Sequence, residues 1–183
     1  DVCTVMSFVP GKSFAQLLKE GYRFRPNELI RWGMQICSAL NYLHSQNPPV
    51  IHCDIKPANV MLTPEGNICL IDFNISFYLG DTAVLGYTDG YTSPEQYLVA
   101  LSRETGQNGT GEVHIDERTD IYSVGATLYH LATGGKVGDY RDKIDVQYLA
   151  GFTGEAFAWV IEKALRIDPA RRYQSAYEMF RAL

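Results

Sequence analysis

Two neighbouring stretches, HCDIKPANV at residues 52–60 and LIDFN at residues 70–74, decide how the fold of this sequence is interpreted. Each stretch joins a short apolar run to an acidic residue, and an asparagine lies between the two acids. Polar side chains of complementary chemistry are therefore concentrated in two adjacent loops: Asp54, Lys56, Asn59 and Asp72. An acidic residue or an asparagine beside a strand is often only a turn former, but turns do not require this joint spacing.

These four side chains together suit phosphoryl transfer, in which the protein contributes positioning and charge neutralisation rather than covalent chemistry. Asn59 and Asp72 carry the hard oxygen atoms that Mg²⁺ prefers as ligands. Asp54 is suited to accept the proton of an attacking hydroxyl, and Lys56 to stabilise negative charge on the transferred group. The spacing H-x-D-x-K-x-x-N followed by I-D-F therefore indicates a phosphotransfer site rather than a set of turns.

The composition narrows the class of protein. The chain has 183 residues, of which 46% are hydrophobic, and this suits one domain or one lobe of a larger domain. The formal net charge of −5 and the scattered basic residues argue against nucleic acid as a partner. The four cysteines form no C-x-x-C pair, which is typical of reduced thiols and predicts a cytoplasmic location. We expect no membrane segment in this chain, and no signal peptide, because no apolar run is long enough and the first residues lack a basic region.

Helical patterns outnumber strand patterns, so the sequence predicts an α+β fold that is mainly helical. Ser13 and Gln16 have the spacing of a capping box, and Pro26 suits the first turn of a long helix over residues 26–46. The mostly apolar residues 119–135 predict a buried helix. Amphipathic helices are expected near the C-terminus, at residues 155–167 and 175–183. Short strands are expected at residues 3–9, 50–52, 60–63 and 68–72.

The chain between the last strand and the buried helix is expected to be irregular. A long glycine-containing loop follows Asp72 and ends near residues 92–97. Residues 101–118 are polar and glycine-rich, and they predict a surface insertion. Loops of this length without secondary structure are usually functional or disordered.

The whole set of motifs resembles the protein kinase family. HCDIKPANVML at 52–62 resembles the catalytic loop of protein kinases, and IDFN at 71–74 resembles their metal-binding Asp-Phe-Gly. Three further segments resemble the end of the activation segment, the buried central helix with its anchoring acid Asp120, and the closing segment: residues 86–97, 116–134 and 164–173. In the family, Arg172 of the closing segment would pair with Glu95. The resemblance covers essentially all 183 residues.

Details of these motifs are similar to serine/threonine kinases of the bacterial type. Lys56 two residues after the catalytic acid and Thr88 seven residues before Glu95 are typical of that class, as is T-x-G-Y-x-S-P-E-Q. The resemblance implies Asp54 as the base, Lys56 as the phosphate-stabilising cation and Thr88 as a contact of both. It implies Asn59 and Asp72 as ligands of Mg²⁺, with ATP and a protein Ser/Thr hydroxyl as substrates. Aminoglycoside-type phosphotransferases share the catalytic loop but lack the Pro-Glu and its arginine.

The same resemblance assigns an adenine site. TVMSFVPG at residues 4–11 is similar to the last strand of the small lobe and the hinge, with Met6 as the gatekeeper. Backbone groups of Ser7 and Val9 would then face the adenine edge, and Met61 would lie beneath the ring. An ordinary core position on a strand is the alternative interpretation of Met61.

Two positions depart from the family pattern. Cys53 stands where the family has an arginine that pairs with a phosphorylated residue of the activation segment, and a cysteine cannot form that pair. We therefore predict that activity does not depend on phosphorylation of this loop at Thr82. Asn74 replaces the glycine of Asp-Phe-Gly. Among residues other than glycine, asparagine best tolerates a positive φ.

The resemblance also divides the chain. Residues 1–9 correspond to the end of the small lobe and the hinge, and residues 10–183 to the large, C-terminal lobe. The small lobe, with its glycine-rich loop and strand lysine, is expected to be absent from this chain. Water would then reach the phosphates, so the isolated chain is expected to bind Mg-ATP poorly and to be weakly active or inactive. A pseudokinase or truncated kinase-like scaffold that acts as a binding module is the alternative function.

Overall fold

The computed structural model of the chain describes residues 7–79, 86–105, 114–138 and 144–183, with the side chains of residues 103 and 104 excepted. Helices dominate the described ranges: α1 (Phe14–Lys19), α2 (Pro26–His44), α3 (Pro94–Thr105), α4 (Glu117–Thr133), α5 (Val146–Thr153), α6 (Glu155–Ala164) and α7 (Ala176–Ala182). The strands are short: β1 (Lys12–Ser13), β2 (Val50–Ile51), β3 (Val60–Leu62), β4 (Ile68–Leu70) and β5 (Phe77–Tyr78). Single 3₁₀ turns occur at Pro57–Asn59 and Pro169–Arg171. The mainly helical α+β composition agrees with the prediction.

A hairpin of β3 and β4 brings two polar loops to one end of a small sheet. The strands pair antiparallel in the order β1-β3-β4, and Val60 lies opposite Leu70. Asn59 immediately precedes Val60, and Asp72 follows Leu70 by two residues. Because the start of β3 lies beside the end of β4, these two side chains belong to the same edge of the hairpin.

The helical core is organised around α4, which packs against α2, α5, α6 and α7. Residues on every side of α4 are buried, as its apolar sequence predicted. Helix α2 instead buries one face, which includes Leu29, Ile36 and Leu40. Gly125 lets α4 and α6 approach closely, since a Cβ at this position would lie 2.9 Å from the Cβ of Ala164.

Several local predictions were confirmed and others were wrong. The capping box of Ser13 and Gln16 is present, and the long helix begins at Pro26 but ends at His44. Residues 7–9 are not a strand, and the rest of that expected strand lies outside the described residues. The expected loop contains β5, which pairs with β2, and α3 extends through Thr105 into the segment predicted as an insertion. Neither feature has a local signature, because β5 is defined by a distant partner and exposed helix residues resemble loop residues in polarity.

A buried ion pair fixes the beginning of α3 against the C-terminal part of the chain. Arg172, which is 2% exposed, donates from Nη1 and Nη2 to the two carboxylate oxygens of Glu95 at 2.7 and 2.8 Å. The remaining N–H groups of Arg172 donate to the backbone carbonyls of Arg118, Arg166 and Ile167. All five guanidinium N–H donors are therefore satisfied, which is the condition under which a buried arginine is tolerated. The predicted pairing of Arg172 with Glu95 is confirmed.

Replacing Glu95 by Gln should lower the free energy of unfolding by about 3–5 kcal/mol, because Arg172 would remain buried without a counter-charge. Burial alone raises the pKa of the Glu95 carboxyl, but the hydrogen bond and charge of Arg172 outweigh it, so this pKa lies below its usual value. The stabilisation is therefore complete above the unfolded pKa and is lost as pH falls through the lower folded pKa. Urea unfolding of both proteins from neutral to acidic pH measures this.

The matched control is Glu20→Gln, which removes an exposed carboxylate 2.7 Å from Lys12 and should cost less than about 1 kcal/mol. Equal losses of stability in the two variants would contradict the assigned role of Glu95.

Candidate active site

The loop that carries Asp54 is attached to the core by one carboxylate. Asp120 on α4 is fully buried, and its oxygens accept the backbone N–H of His52 at 2.9 Å and of Cys53 at 2.8 Å. His44 Nε2 lies 2.9 Å from the same carboxylate, at the end of α2. Hydrogen bonds to this one buried anion hold the loop in place. The sequence analysis expected Asp120 to be an anchoring acid of the central helix, and the structure shows that the segment it holds is this loop.

The sequence-predicted residues of the loop meet in one cluster. Lys56 Nζ lies 2.8 Å from Asp54 Oδ2, and the hydroxyl of Thr88 donates to Asp54 Oδ1 at 3.1 Å. Lys56 also donates to Thr88 Oγ1 at 3.2 Å, so the expected contacts of Thr88 with both residues are present. The side-chain amide of Asn59 donates to the backbone carbonyl of Asp54 at 2.9 Å and to its carboxylate at 2.8 Å.

The 3₁₀ turn at Pro57–Asn59 explains why Asn59 returns to Asp54. Proline suits the first position of such a turn, and the N–H of Asn59 donates to the carbonyl of Lys56 at 2.9 Å. The turn folds the chain back on itself, so that the asparagine reaches the acid that precedes it. Asp54 remains partly exposed at the surface of the site.

Asp72 lies beside Asn59 at the open edge of the hairpin. The N–H of Ile71 donates to the backbone carbonyl of Asn59 at 3.0 Å, which places the neighbouring Asp72 next to it. Asp72 is exposed and has φ 65, a left-handed conformation that is uncommon for a residue other than glycine. The sequence analysis noted that Asn74 tolerates a positive φ. Asn74 is not among the described residues whose φ is positive. The left-handed residues near the site are Cys53 and Asp72 instead.

The aromatic residue of IDFN connects the two motifs. The ring of Phe73 packs on the ring of His52, with centroids 4.7 Å apart and an interplanar angle of 45°. Phe73 is nevertheless 46% exposed. The aromatic contact thus links the histidine before Asp54 to the residue after Asp72.

Two of the residues expected at adenine precede β1 in the chain, and the third lies on β3. Ser7 is exposed and Val9 is half-buried, and their segment leads into β1, where Ser13 pairs with Met61. Met61 is half-buried, and the core cluster includes its strand neighbours Val60 and Leu62 but not Met61. Because side chains alternate along a strand, Met61 points away from that cluster. The roles of Ser7, Val9 and Met61 at an adenine base stay predictions, and Met6 lies outside the described residues.

Cys53 packs in an apolar environment. It is 2% exposed and forms a small cluster with Ile51, against which partly buried apolar residues pack: Ile75, Phe77, Val99 and Ile115. Burial raises the pKa of the Cys53 thiol, and the neighbouring charges of Asp120 and Asp54 raise it further. The protein kinase family has an arginine at this position. In this chain the position holds the neutral thiol of Cys53, which packs against residues of β5 and α3 and so connects them to the catalytic loop.

Sequence reasoning missed Gln96. The residue stood within the quoted TSPEQY motif but received no role. In the structure it is fully buried, and its side-chain amide donates to two backbone carbonyls of the site. The signal in the sequence was a polar residue directly after Glu95, at the start of an amphipathic helix.

Comparison with known sequences identifies the family to which this fold and cluster belong. The pattern described as the protein kinase domain matches residues 1–178, so the chain belongs to the protein kinase family.

Curated relatives carry kinase names. A probable serine/threonine-protein kinase of Streptomyces coelicolor is 36% identical over 196 residues, which cover 96% of this chain and 27% of that protein. Serine/threonine-protein kinase PknB of Mycolicibacterium smegmatis is 33% identical over 196 residues, covering 96% of this chain and 29% of that protein. The chain thus spans less than a third of the length of these relatives. Within its own described residues, no helix is both long enough and apolar enough to span a membrane.

The apolar cluster predicts the order in which thiols react. Cys69 is half-buried, whereas Cys53 and Cys37 are buried, and burial raises the pKa of Cys37 to about 12. In the folded protein, iodoacetamide should modify Cys69 at least about tenfold faster than Cys53, because the reagent needs an accessible thiolate. Peptide mass spectrometry after timed alkylation measures both rates.

Alkylation in concentrated guanidinium chloride is the control. Because unfolding exposes both thiols, Cys53 and Cys69 should then be modified at similar rates. Rapid modification of Cys53 in the folded protein would show that the apolar cluster is wrong.

Proposed function

We propose that the protein is a serine/threonine protein kinase that transfers the γ-phosphoryl group of ATP to Ser or Thr hydroxyls of proteins. The observation that carries this proposal is the contact of Lys56 and Thr88 with the two carboxylate oxygens of Asp54, at 2.8 and 3.1 Å. We assign residues 10–183 to the large, C-terminal lobe and residues 1–9 to the end of the small lobe and the hinge. The names of the relatives support the same activity.

In this mechanism, Asp54 is the base. Its carboxylate accepts the proton of the substrate hydroxyl as that oxygen attacks the γ-phosphorus. The amide of Asn59 and the hydroxyl of Thr88 hold the carboxylate in a fixed orientation, and such positioning is a large part of catalysis in phosphoryl transfer. Lys56 lies close enough to Asp54 to stabilise negative charge on the group in transfer.

The edge formed by Asn59 and Asp72 fits a magnesium ion shared with a nucleotide. Among the described residues, no cluster of three or more His, Cys, Asp or Glu side chains can hold a metal ion. Mg²⁺ in kinases is held by one or two protein oxygens together with phosphates and water, so a site with few protein ligands suits this ion. When bound, Mg²⁺ neutralises phosphate charge. The side-chain oxygen of Asn59 and the exposed carboxylate of Asp72 would hold it, and Ser7, Val9 and Met61 would contact the adenine.

The scaffold alternative is not favoured. A binding module has no chemical need for a carboxylate, an ammonium and a hydroxyl held within hydrogen-bonding distance of each other. A cytoplasmic location is part of the proposal, because the described cysteines Cys37, Cys53 and Cys69 are free thiols, as is usual in a reducing compartment.

The metal role is tested with Asp72→Asn in the protein as its source produces it. Asparagine tolerates the left-handed backbone at this position, so folding should be preserved while kcat/KM falls about a thousandfold. Phosphotransfer to a Ser/Thr peptide at several Mg²⁺ concentrations measures the loss. Asp168→Asn is the matched control, because Asp168 is an exposed acid that caps a distant turn. Full activity of Asp72→Asn would show that the metal site is assigned wrongly.

Activity should not require phosphate on the activation segment, because Cys53 offers no cation to receive it. Thr82, which lies outside the described residues, is the position to replace. Thr82→Ala should change kcat by less than about twofold, whereas Thr88→Ala should lower it about a hundredfold because Thr88 contacts Asp54 and Lys56. Inactivity of Thr82→Ala together with activity of Thr82→Glu would contradict this prediction.

A further inference from the structure

Gln96 connects the catalytic loop to the segment that carries Thr88. Its side chain is fully buried on the first turn of α3, and Nε2 donates to the carbonyl of Cys53 at 2.9 Å and to that of Gly86 at 3.0 Å. Both partners can only accept, so the orientation of the amide is determined and both of its N–H groups are used. One side chain therefore links two segments that are far apart in sequence.

The first of these segments needs such support. Cys53 has φ 63, a conformation that costs free energy for a residue with a Cβ and persists only where its surroundings impose it. Its N–H is held by Asp120 at 2.8 Å, and its carbonyl by Gln96. Cys53, the residue directly before Asp54, is thus held on both sides by side chains, with an anion at its N–H and an amide at its carbonyl.

The second segment carries the other partner of the base. Gly86 lies two residues before Thr88, whose hydroxyl donates to Asp54. The N–H of Thr88 donates to Thr92 Oγ1 at 2.7 Å, which keeps this part of the chain close to α3. Gln96 therefore holds the chain next to both members of the Asp54–Thr88 hydrogen bond.

Gln96 is itself placed on a rigid base. The preceding residue, Glu95, is held by Arg172 and also accepts the hydroxyl of Thr119 at 2.9 Å. The first turn of α3 is consequently fixed to α4 and to the C-terminal part of the chain. Because Gln96 lies on this turn, the position of its amide is fixed as well.

We propose that Gln96 is a positioning residue, which couples the catalytic loop to the activation segment and so fixes Asp54 relative to Thr88. The inference rests on the proposed kinase function for its effect on rate. Gln96 touches neither substrate, and it acts through the backbone of Cys53 and of Gly86. The link is uncharged and involves no phosphate group.

The first test is Gln96→Met, in the protein as its source produces it. Methionine fills a similar volume but donates no hydrogen bond. We expect kcat to fall about tenfold or more, because small displacements of reacting groups slow transfer strongly. KM for ATP and for a Ser/Thr peptide should stay within about twofold, since no substrate contact is removed.

Gln46→Met is the matched control. The amide of Gln46 also donates to a backbone carbonyl, that of Tyr42 at 2.7 Å, but at the end of α2 and outside the catalytic loop. Its kcat should equal that of the parent. A parent-like kcat for Gln96→Met, or a rise in KM without loss of kcat, would overturn the proposal.

Amide hydrogen exchange gives a readout that does not require activity. Gln96→Met should speed exchange in residues 52–56 and 86–92 together, whereas Gln46→Met should leave both segments as in the parent. Unchanged exchange in both segments, or faster exchange across the whole chain, would overturn the coupling. If the parent shows no phosphotransfer, the kinase function fails, and the exchange result still decides whether Gln96 couples the two segments.

Discussion

The site depends on one buried carboxylate. Asp120 is removed from water by the helices around α4, and a charge in such a place is stable only if hydrogen bonds replace the lost solvent. Two of those bonds come from backbone N–H groups directly before Asp54, so the same requirement that stabilises the anion also determines the path of the catalytic loop. Because α4 is buried on all sides, the orientation of the reactive residues is set by the core rather than by the surface.

The elements that were predictable are those with a local cause. The pattern of apolar residues located α2, the mostly apolar composition located α4, and two short apolar runs located β3 and β4, whose pairing brings Asn59 and Asp72 to one edge. The polar cluster was recognisable from spacing alone. The contact of β2 with β5, the extent of α3 and the positive φ of Cys53 depend on partners distant in sequence, so composition and periodicity do not encode them. Gln96 belongs to this second group, because its role depends on the positions of the Cys53 and Gly86 carbonyls, which are distant from it in sequence.

Cys53 shows how a departure from a family pattern changes the interactions that hold a site together. An arginine at this position would bring a charge that needs a partner, and in the family that partner is a phosphate. The thiol needs none, and it packs among the apolar residues that surround β5. Around Cys53, the connection between the catalytic loop and the activation segment is therefore made of apolar contact and the neutral amide of Gln96. The charged contacts of Asp54 and Lys56 with Thr88 lie beside it.

This neutral connection has a consequence for how solution conditions act on the protein. Ionic strength weakens bridges between exposed charges, but it has little effect on buried neutral hydrogen bonds or on apolar packing. Apolar packing weakens on cooling instead, since its driving force near room temperature is largely entropic. The geometry around Cys53 is therefore tolerant of salt and sensitive to low temperature, the reverse of what a phosphate bound to an exposed arginine would produce.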